Sequence, residues 1–261
     1  SYWHSFKETG SEQFIEGTSF DRIYELYEFD RNLRLHLLDA IDRIEISIRT
    51  KWVGSLKLRY GAHAQLNNNV FVSTNGTWRY RHSIQKWQRD FNRSTETFAA
   101  HFRNKYDEAL PPIWAAVELL SIGSLSKWYE YTKSRQDRNM VAKDYRLDEK
   151  ILTSFLHHLT VLRNHCAHHS RVWNRRYSIP WTLPKKAHNY LVLGLDYPTT
   201  DNAGKGISLY NSFVMIIYLM DIIVPSNNWK QVLLQLTKDF QVNVSDMGFP
   251  DDYLDRPVWK V

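Results

Sequence analysis

Between residues 20 and 60, Leu37, Ile41, Ile44, Ile48, Trp52 and Leu56 recur at spacings of three and four. No other feature constrains the fold as strongly, because this is the period of a long helix with one face turned into a core. Other helices must cover that face. The stretch WRYRHSIQKWQRDF at 78–91 predicts a basic helix through Ile84, Trp87 and Phe91. LPPIWAAVELLSIGSLSKWYEYT enters a helix at Pro111 and Pro112 and carries Ile113, Val117 and Leu120 toward the core, with Gly123 marking a close helix contact. Residues 148–170 predict a further helix, with a stripe of Leu152, Phe155, Leu156, Leu159, Leu162 and Cys166; two more follow at about 207–224 and 228–240. Asn-, Ser- and Gly-rich stretches at 66–77 and 196–206 read as loops. The irregular tail MGFPDDYLDRPVWKV carries Phe249, Tyr253 and Trp259 as anchors. There is no repeat, linker or run of alternating strands, so the expectation is an all-α chain forming a single domain over 1–261.

Composition narrows the function classes. An apolar content of 43% with 14% aromatics supplies a globular core, and a net charge of +6 favours a polyanionic partner without identifying one. Cys166 is the only cysteine, which excludes an intrachain disulfide and points to a cytoplasmic setting. FVMIIYLMDIIV at 213–224 is shorter than the ~20 residues of a membrane span and is interrupted by Asp221, so a buried helix is expected and no membrane partner. The chain opens SYWHSF, without an initiator Met or signal peptide, and is expected to lack a preceding segment.

Chemistry concentrates in RNHCAHHSRVWNR at 163–175. His165, Cys166, His168 and His169 include four potential metal ligands, but no HExxH, paired-Cys spacing or distant ligand set accompanies them, and no metal or organic cofactor is expected. Cys166 falls on the apolar stripe, as a packing residue would. Arg163 borders the same face, where an unpaired charge is costly, and calls for an anionic partner. On an ideal helix His168 lies about 140° around from Arg163 and shares a face with Asn164. An imidazole that moves protons near neutral pH and a guanidinium that stabilises phosphoryl charge suffice for metal-free RNA cleavage. A helix end carrying cations that suit its C-terminal dipole explains the same residues. Spacing alone leaves both readings open.

RNHCAHHSRVWNR, with its Arg-x4-His, resembles the signature of HEPN ribonucleases in the form carried by the Abi-like (AbiD/AbiF) abortive-infection family. YELYEFDRNLRLHLLDAIDRIEISIR, LPPIWAAVELLSIGSLSKWY and MGFPDDYLDRPVW are similar to the same family. The resemblance implies a HEPN-type helical bundle with additional C-terminal helices and metal-independent endoribonuclease activity in antiphage defence. It also implies a toxin restrained in some relatives by a noncoding RNA. Arg163 and His168 match the signature as catalytic residues, with Asn164 in the polar position after the Arg. A homodimer is expected to bring two motifs into one groove.

Supporting roles are expected for Glu45, His165 and His169. Glu45 sits among apolar residues with Arg49 one turn on, which predicts either a buried ion pair or an ordinary surface pair. Arg171, Arg175, Arg176, Lys185 and Lys186 are candidates to continue an RNA path, with Trp173 or Trp181 stacking on a base. Solvated charges and core tryptophans fit those positions equally well. The rival function is a noncatalytic RNA-binding module.

Overall fold

The computed structural model of the chain describes residues 2–8, 10–73, 78–186, 189–197 and 208–260. These residues form ten α-helices and several 3-10 turns, with two isolated β-bridges in place of a sheet. The helices are α1 (Phe20–Tyr60), α2 (Tyr80–Arg93), α3 (Thr97–Lys105), α4 (Ile113–Ala116), α5 (Ile122–Glu130), α6 (Arg135–Asp144), α7 (Glu149–Ala167), α8 (Asn189–Gly194), α9 (Leu209–Ile223) and α10 (Trp229–Asp239). The all-α expectation is met. No helix among the described residues is long and apolar enough to cross a membrane. The expected loop at 196–206 lies almost wholly outside the described residues, as does the end of the one at 66–77.

The chain divides into two compact units, one of residues 1–44 and 161–261, the other of 45–160. In the first unit α9 is apolar on every side: each residue from Leu209 to Met220 is buried. Phe29, Leu33, Leu37 and Ile41 of α1 are buried in this unit as well. The tail is pinned as its aromatics predict. Trp259 packs 5.2 Å from Phe249 and 5.6 Å from Tyr253, and its Nε1 donates to Tyr210 Oη at 3.2 Å.

The second unit gathers its aromatics around Trp128, with the Phe71, Trp87 and Trp78 rings at 4.7, 5.1 and 5.4 Å. Its apolar stripe on α1 is buried through Ile48, Trp52 and Leu56, as the spacing requires. The Gly123 contact is also present, because a Cβ there would stand 3.1 Å from Thr160 Cγ2.

Two helices differ from their sequence expectation. The single helix expected from Pro111 onward is broken: α4 tightens into a 3-10 turn at Val117–Leu119, and the chain is extended at Leu120 before α5 starts. Ser121 makes the break, its Oγ accepting from Ser124 N at 3.3 Å as an N-cap. Helix α7 stops at Ala167, three residues short of 170. α3, α6 and α8 were not foreseen. α6 had a readable start, because Ser134 caps the N–H of Asp137 in a Ser-x-x-Asp pattern.

Close packing fixes one glycine and leaves another free. A Cβ on Gly194 would stand 2.8 Å from Val258 Cγ1 and 3.2 Å from Val214 Cγ1, whereas one on Gly54, inside α1, meets nothing within 4 Å. Gly194→Ala is therefore expected to cost about 1–3 kcal/mol through overpacking. Gly54→Ala should gain about 0.5–1 kcal/mol from helix propensity. Urea midpoints of the two variants check this pair, and shifts of the same sign would refute it.

Candidate functional site

Helix α7 delivers the Arg-x4-His segment to its own C-terminal end. Leu152, Phe155, Leu156, Leu159, Leu162 and Cys166 are all buried, which leaves Arg163 and His165 half-buried and Asn164, His168 and His169 further out. The helical path persists through His168, whose backbone N–H donates to Asn164 O at 2.9 Å. It then ends in a Schellman motif: Ser170 N donates to His165 O at 2.9 Å and His169 N to Cys166 O at 3.2 Å. His169 takes the left-handed position with φ 56°. Glycine normally fills that place, and a side chain there stores about 1 kcal/mol of strain. His169 thus shapes the turn that follows His168.

The segment beyond the turn is clamped to α1 by Asp30, which is 0% exposed. Asp30 Oδ1 accepts the backbone N–H groups of Val172, at 3.0 Å, and Trp173, at 2.6 Å. Oδ2 accepts Tyr2 Oη at 2.6 Å and an Arg34 Nη1 donor one turn along α1. Four donors thereby satisfy one buried carboxylate. Burial and this carboxylate together push the Tyr2 phenol up to about 12. Sequence reasoning passed over Asp30 and Arg34. The signal was an acid and a base at i and i+4 inside the stripe Leu26, Phe29, Leu33, Leu37, where neither charge is tolerable alone.

Burial also raises the Cys166 thiol to about 12, with the Asp30 charge adding to it, so the sulfur is a protonated packing group. Desolvation lowers the pKa of His165, helped by the positive charge of Arg175 and by His168, and its ring meets Tyr177 edge-on at 5.7 Å. These effects favour the neutral imidazole at His165. Among the described residues, no three or more His, Cys, Asp or Glu side chains form a group that would hold a metal ion.

The Arg163 side chain makes no hydrogen bond or ion pair among the described residues, although it is half-buried. The anionic partner its position calls for is not supplied from within them. The His168 side chain likewise makes no hydrogen bond or ion pair among the described residues and faces solvent. A guanidinium without a counter-ion among the described residues and an open imidazole at one helix end can hold an anion and move a proton beside it.

The other predicted residues sort by burial. Arg176, Lys185 and Lys186 are exposed; Arg175 and Arg171 are half-buried, with Arg175 Nε donating to Arg171 O at 2.7 Å. Trp173 and Trp181 are each only 3% exposed, so of the two readings open to them the structure selects packing, and neither ring is presented to a base. Glu45 belongs to the second unit, where it forms a 2.7 Å ion pair with Arg49, the two side chains 16% and 14% exposed. It is the largely buried pair, not the surface one.

A family model described as Abi-like protein matches residues 1–174, a span that holds Asp30, Arg34 and the Arg-x4-His segment through Asn174. No curated protein and no solved structure matches the chain.

If Asp30 is the clamp, Asp30→Ala leaves Arg34 buried without a counter-charge and should cost about 3–5 kcal/mol. Replacing both partners, as Asp30→Leu with Arg34→Met, should cost less than the single change, since no charge is then stranded. Urea unfolding measures the energies, and amide hydrogen exchange at Val172 and Trp173 reads the clamp directly. Undiminished protection of those two amides in Asp30→Ala would remove Asp30 from this role.

Proposed function

Because the chain belongs to the Abi-like protein family, we propose that it is a metal-independent endoribonuclease of the HEPN type, acting in abortive infection or as a toxin held in check by a noncoding RNA. The observation that carries the reading is Arg163: a half-buried guanidinium with no counter-ion among the described residues, on the same helix end as an exposed His168. A structural arginine in such a place has a carboxylate or carbonyls to bind. A phosphate-binding arginine keeps its donors for the ligand.

In the proposed reaction a ribose 2′-hydroxyl attacks the adjacent phosphorus and the P–O5′ bond breaks, giving a 2′,3′-cyclic phosphate and a 5′-hydroxyl. Neutral His168 accepts the 2′-hydroxyl proton, and Arg163 donates two parallel hydrogen bonds to the phosphoryl oxygens as charge builds on them. Asn164, one turn before His168, orients the imidazole or the RNA. His165, whose neutral form is favoured, and His169, which sets the turn, support the site without reacting. Glu45, paired with Arg49, supports it only through the shape of α1. The departing O5′ needs a proton, and a second copy of the motif across a symmetric dimer supplies a protonated imidazole for it. Arg171, Arg175, Arg176, Lys185 and Lys186 carry the RNA away from the site by phosphate contacts, without help from Trp173.

Cleavage should persist in excess chelator and fail on RNA with a 2′-O-methyl group at the cut site. His168→Ala is expected to lower the rate by about 10²–10⁴ while keeping fold and RNA affinity. Arg163→Lys should also be strongly impaired, because the ammonium lacks the planar fork. Chelator-sensitive cutting, or a His168→Ala variant that cuts at the wild-type rate, would overturn the mechanism. An RNA that binds and is never cut would favour the noncatalytic rival.

Dimers that pair one wild-type subunit with one His168→Ala subunit should show activity distinct from both parent dimers, since each groove then holds one imidazole where two are needed. Sedimentation that finds the active species to be a monomer would defeat the shared groove.

A further inference from the structure

Helix α2 is two-sided in an unusual way. Ile84, Trp87 and Phe91 bury one side, and Trp87 Nε1 is anchored to Ala116 O at 2.9 Å. The other side is exposed and cationic: Arg81, Lys86, Arg89 and Arg93 lie on it, with Arg79 at the N-cap. Asp90 is the only acid between 79 and 93 and is taken by Lys86 at 2.8 Å. The four arginine side chains have no ion-pair or hydrogen-bond partner among the described residues.

Ordinary structural roles do not account for them. The carbonyls at the C-terminal end of α2 are already capped by Arg103, whose Nη1 donates to Phe91 O at 2.6 Å and Nη2 to Ser94 O at 2.9 Å. Arg93 is therefore not needed as a cap. Lys86, Arg89 and Arg93 stand at i, i+3 and i+7 on one face, where like charges destabilise a bare helix. An external polyanion would relieve that repulsion.

We propose that the exposed face of α2 binds the backbone of double-helical RNA, at a site separate in sequence from the Arg163–His168 motif. From Arg81 to Arg93 the cations run for about 18 Å along the helix, long enough to meet several phosphates of a duplex backbone. A double helix fits better than a single strand because this face presents no Phe, Tyr or Trp ring to an unpaired base; its one exposed ring is the small imidazole of His82. Trp78 and Trp87 are buried, and Tyr80 is engaged through its hydroxyl with Gln65 O at 3.0 Å and through its ring with Phe71 at 5.6 Å. A membrane surface fits worse, because the apolar side that would insert is already in the core. Gln85 and Asn92, exposed on the same face, carry amide N–H groups able to donate to the 2′-oxygens of an RNA backbone, which a 2′-O-methyl group leaves in place. The choice of RNA over DNA rests on the ribonuclease reading above; the duplex site itself rests on α2.

The test uses the full chain and a hairpin RNA with 2′-O-methyl groups throughout, which no 2′-hydroxyl attack can cut. A triple variant, Arg81→Gln, Arg89→Gln and Arg93→Gln, should bind it at least about tenfold more weakly and flatten the dependence of log Kd on log salt by up to about 2.7, at ~0.9 per lost phosphate contact. The triple Lys variant at the same positions keeps the charge and should keep most of that slope. Unchanged affinity and slope in the Gln variant would overturn the proposal, as would an equal loss in the Lys variant. Tighter binding to a DNA duplex of the same sequence, or α2-dependent binding to phosphatidylglycerol vesicles without RNA binding, would overturn it too. Cleavage of a short single-stranded RNA reads Arg163 and His168 separately. Should wild type cut nothing while hairpin binding still depends on α2, the ribonuclease reading falls and the duplex site stands. Should it cut while the Gln variant binds the hairpin as wild type does, the reverse holds.

Discussion

The buried carboxylate of Asp30 is the interaction on which the site depends. A helix end is a poor platform for chemistry, because its last carbonyls are unpaired and the chain beyond it is free to move. Here the end of α7 is closed by a Schellman turn, and the next residues are gripped by a charge that cannot afford to lose them. Asp30 would be costly in the core without Arg34, Tyr2 and the two N–H groups of Val172 and Trp173. The dependence is mutual: the loop satisfies the carboxylate and the carboxylate fixes the loop. Arg163, Asn164 and His168 therefore project from a backbone determined on both sides of the turn.

Arginine does two kinds of work in this chain, and the difference lies in where its donors go. Arg34 is consumed by Asp30; Arg49 reaches Glu45, Glu118 at 3.0 Å and Leu120 O at 3.1 Å. Arg138 binds Glu149 at 2.9 Å, Arg103 caps α2, and Arg256 holds Leu195 O at 2.9 Å while its guanidinium lies over the Tyr210 ring. These side chains tie elements together. Arg163 and the arginines of α2 form the second class, with no internal acceptor among the described residues. No described residue neutralises their charge.

Neutral and strained groups complete the picture at the end of α7. Burial keeps Cys166 protonated and favours the neutral imidazole at His165, so neither group is set to add a charge that would compete with Arg163 or His168. His169 occupies a backbone position that glycine fills more easily. The strain is held by the Schellman hydrogen bonds on either side of the turn.

Periodicity by itself determined α1, α2, α7 and α10, because a helix that buries one face writes that face into every third or fourth residue, whereas α9 was legible as an unbroken apolar run. Local chemistry also determined the Arg-x4-His segment, since those residue types are recognisable wherever they fold. What the linear pattern could not decide was set by partners distant in sequence. Leu120 looks like the next helical position after Val117, yet the chain breaks there because Ser121 caps a new helix and the carbonyl of Leu120 turns to Arg49. α3 is too short and too weakly periodic to announce itself. Trp173 reads equally well as a stacking ring or a core ring, and the clamp on its own N–H decides for the core. Asp30 is the sharpest case. As a letter in the sequence it is one acid among 28; its role comes from residues 2, 34, 172 and 173 meeting at one carboxylate, and a hydrogen-bond network of that separation exists only once the tertiary structure has brought its members together.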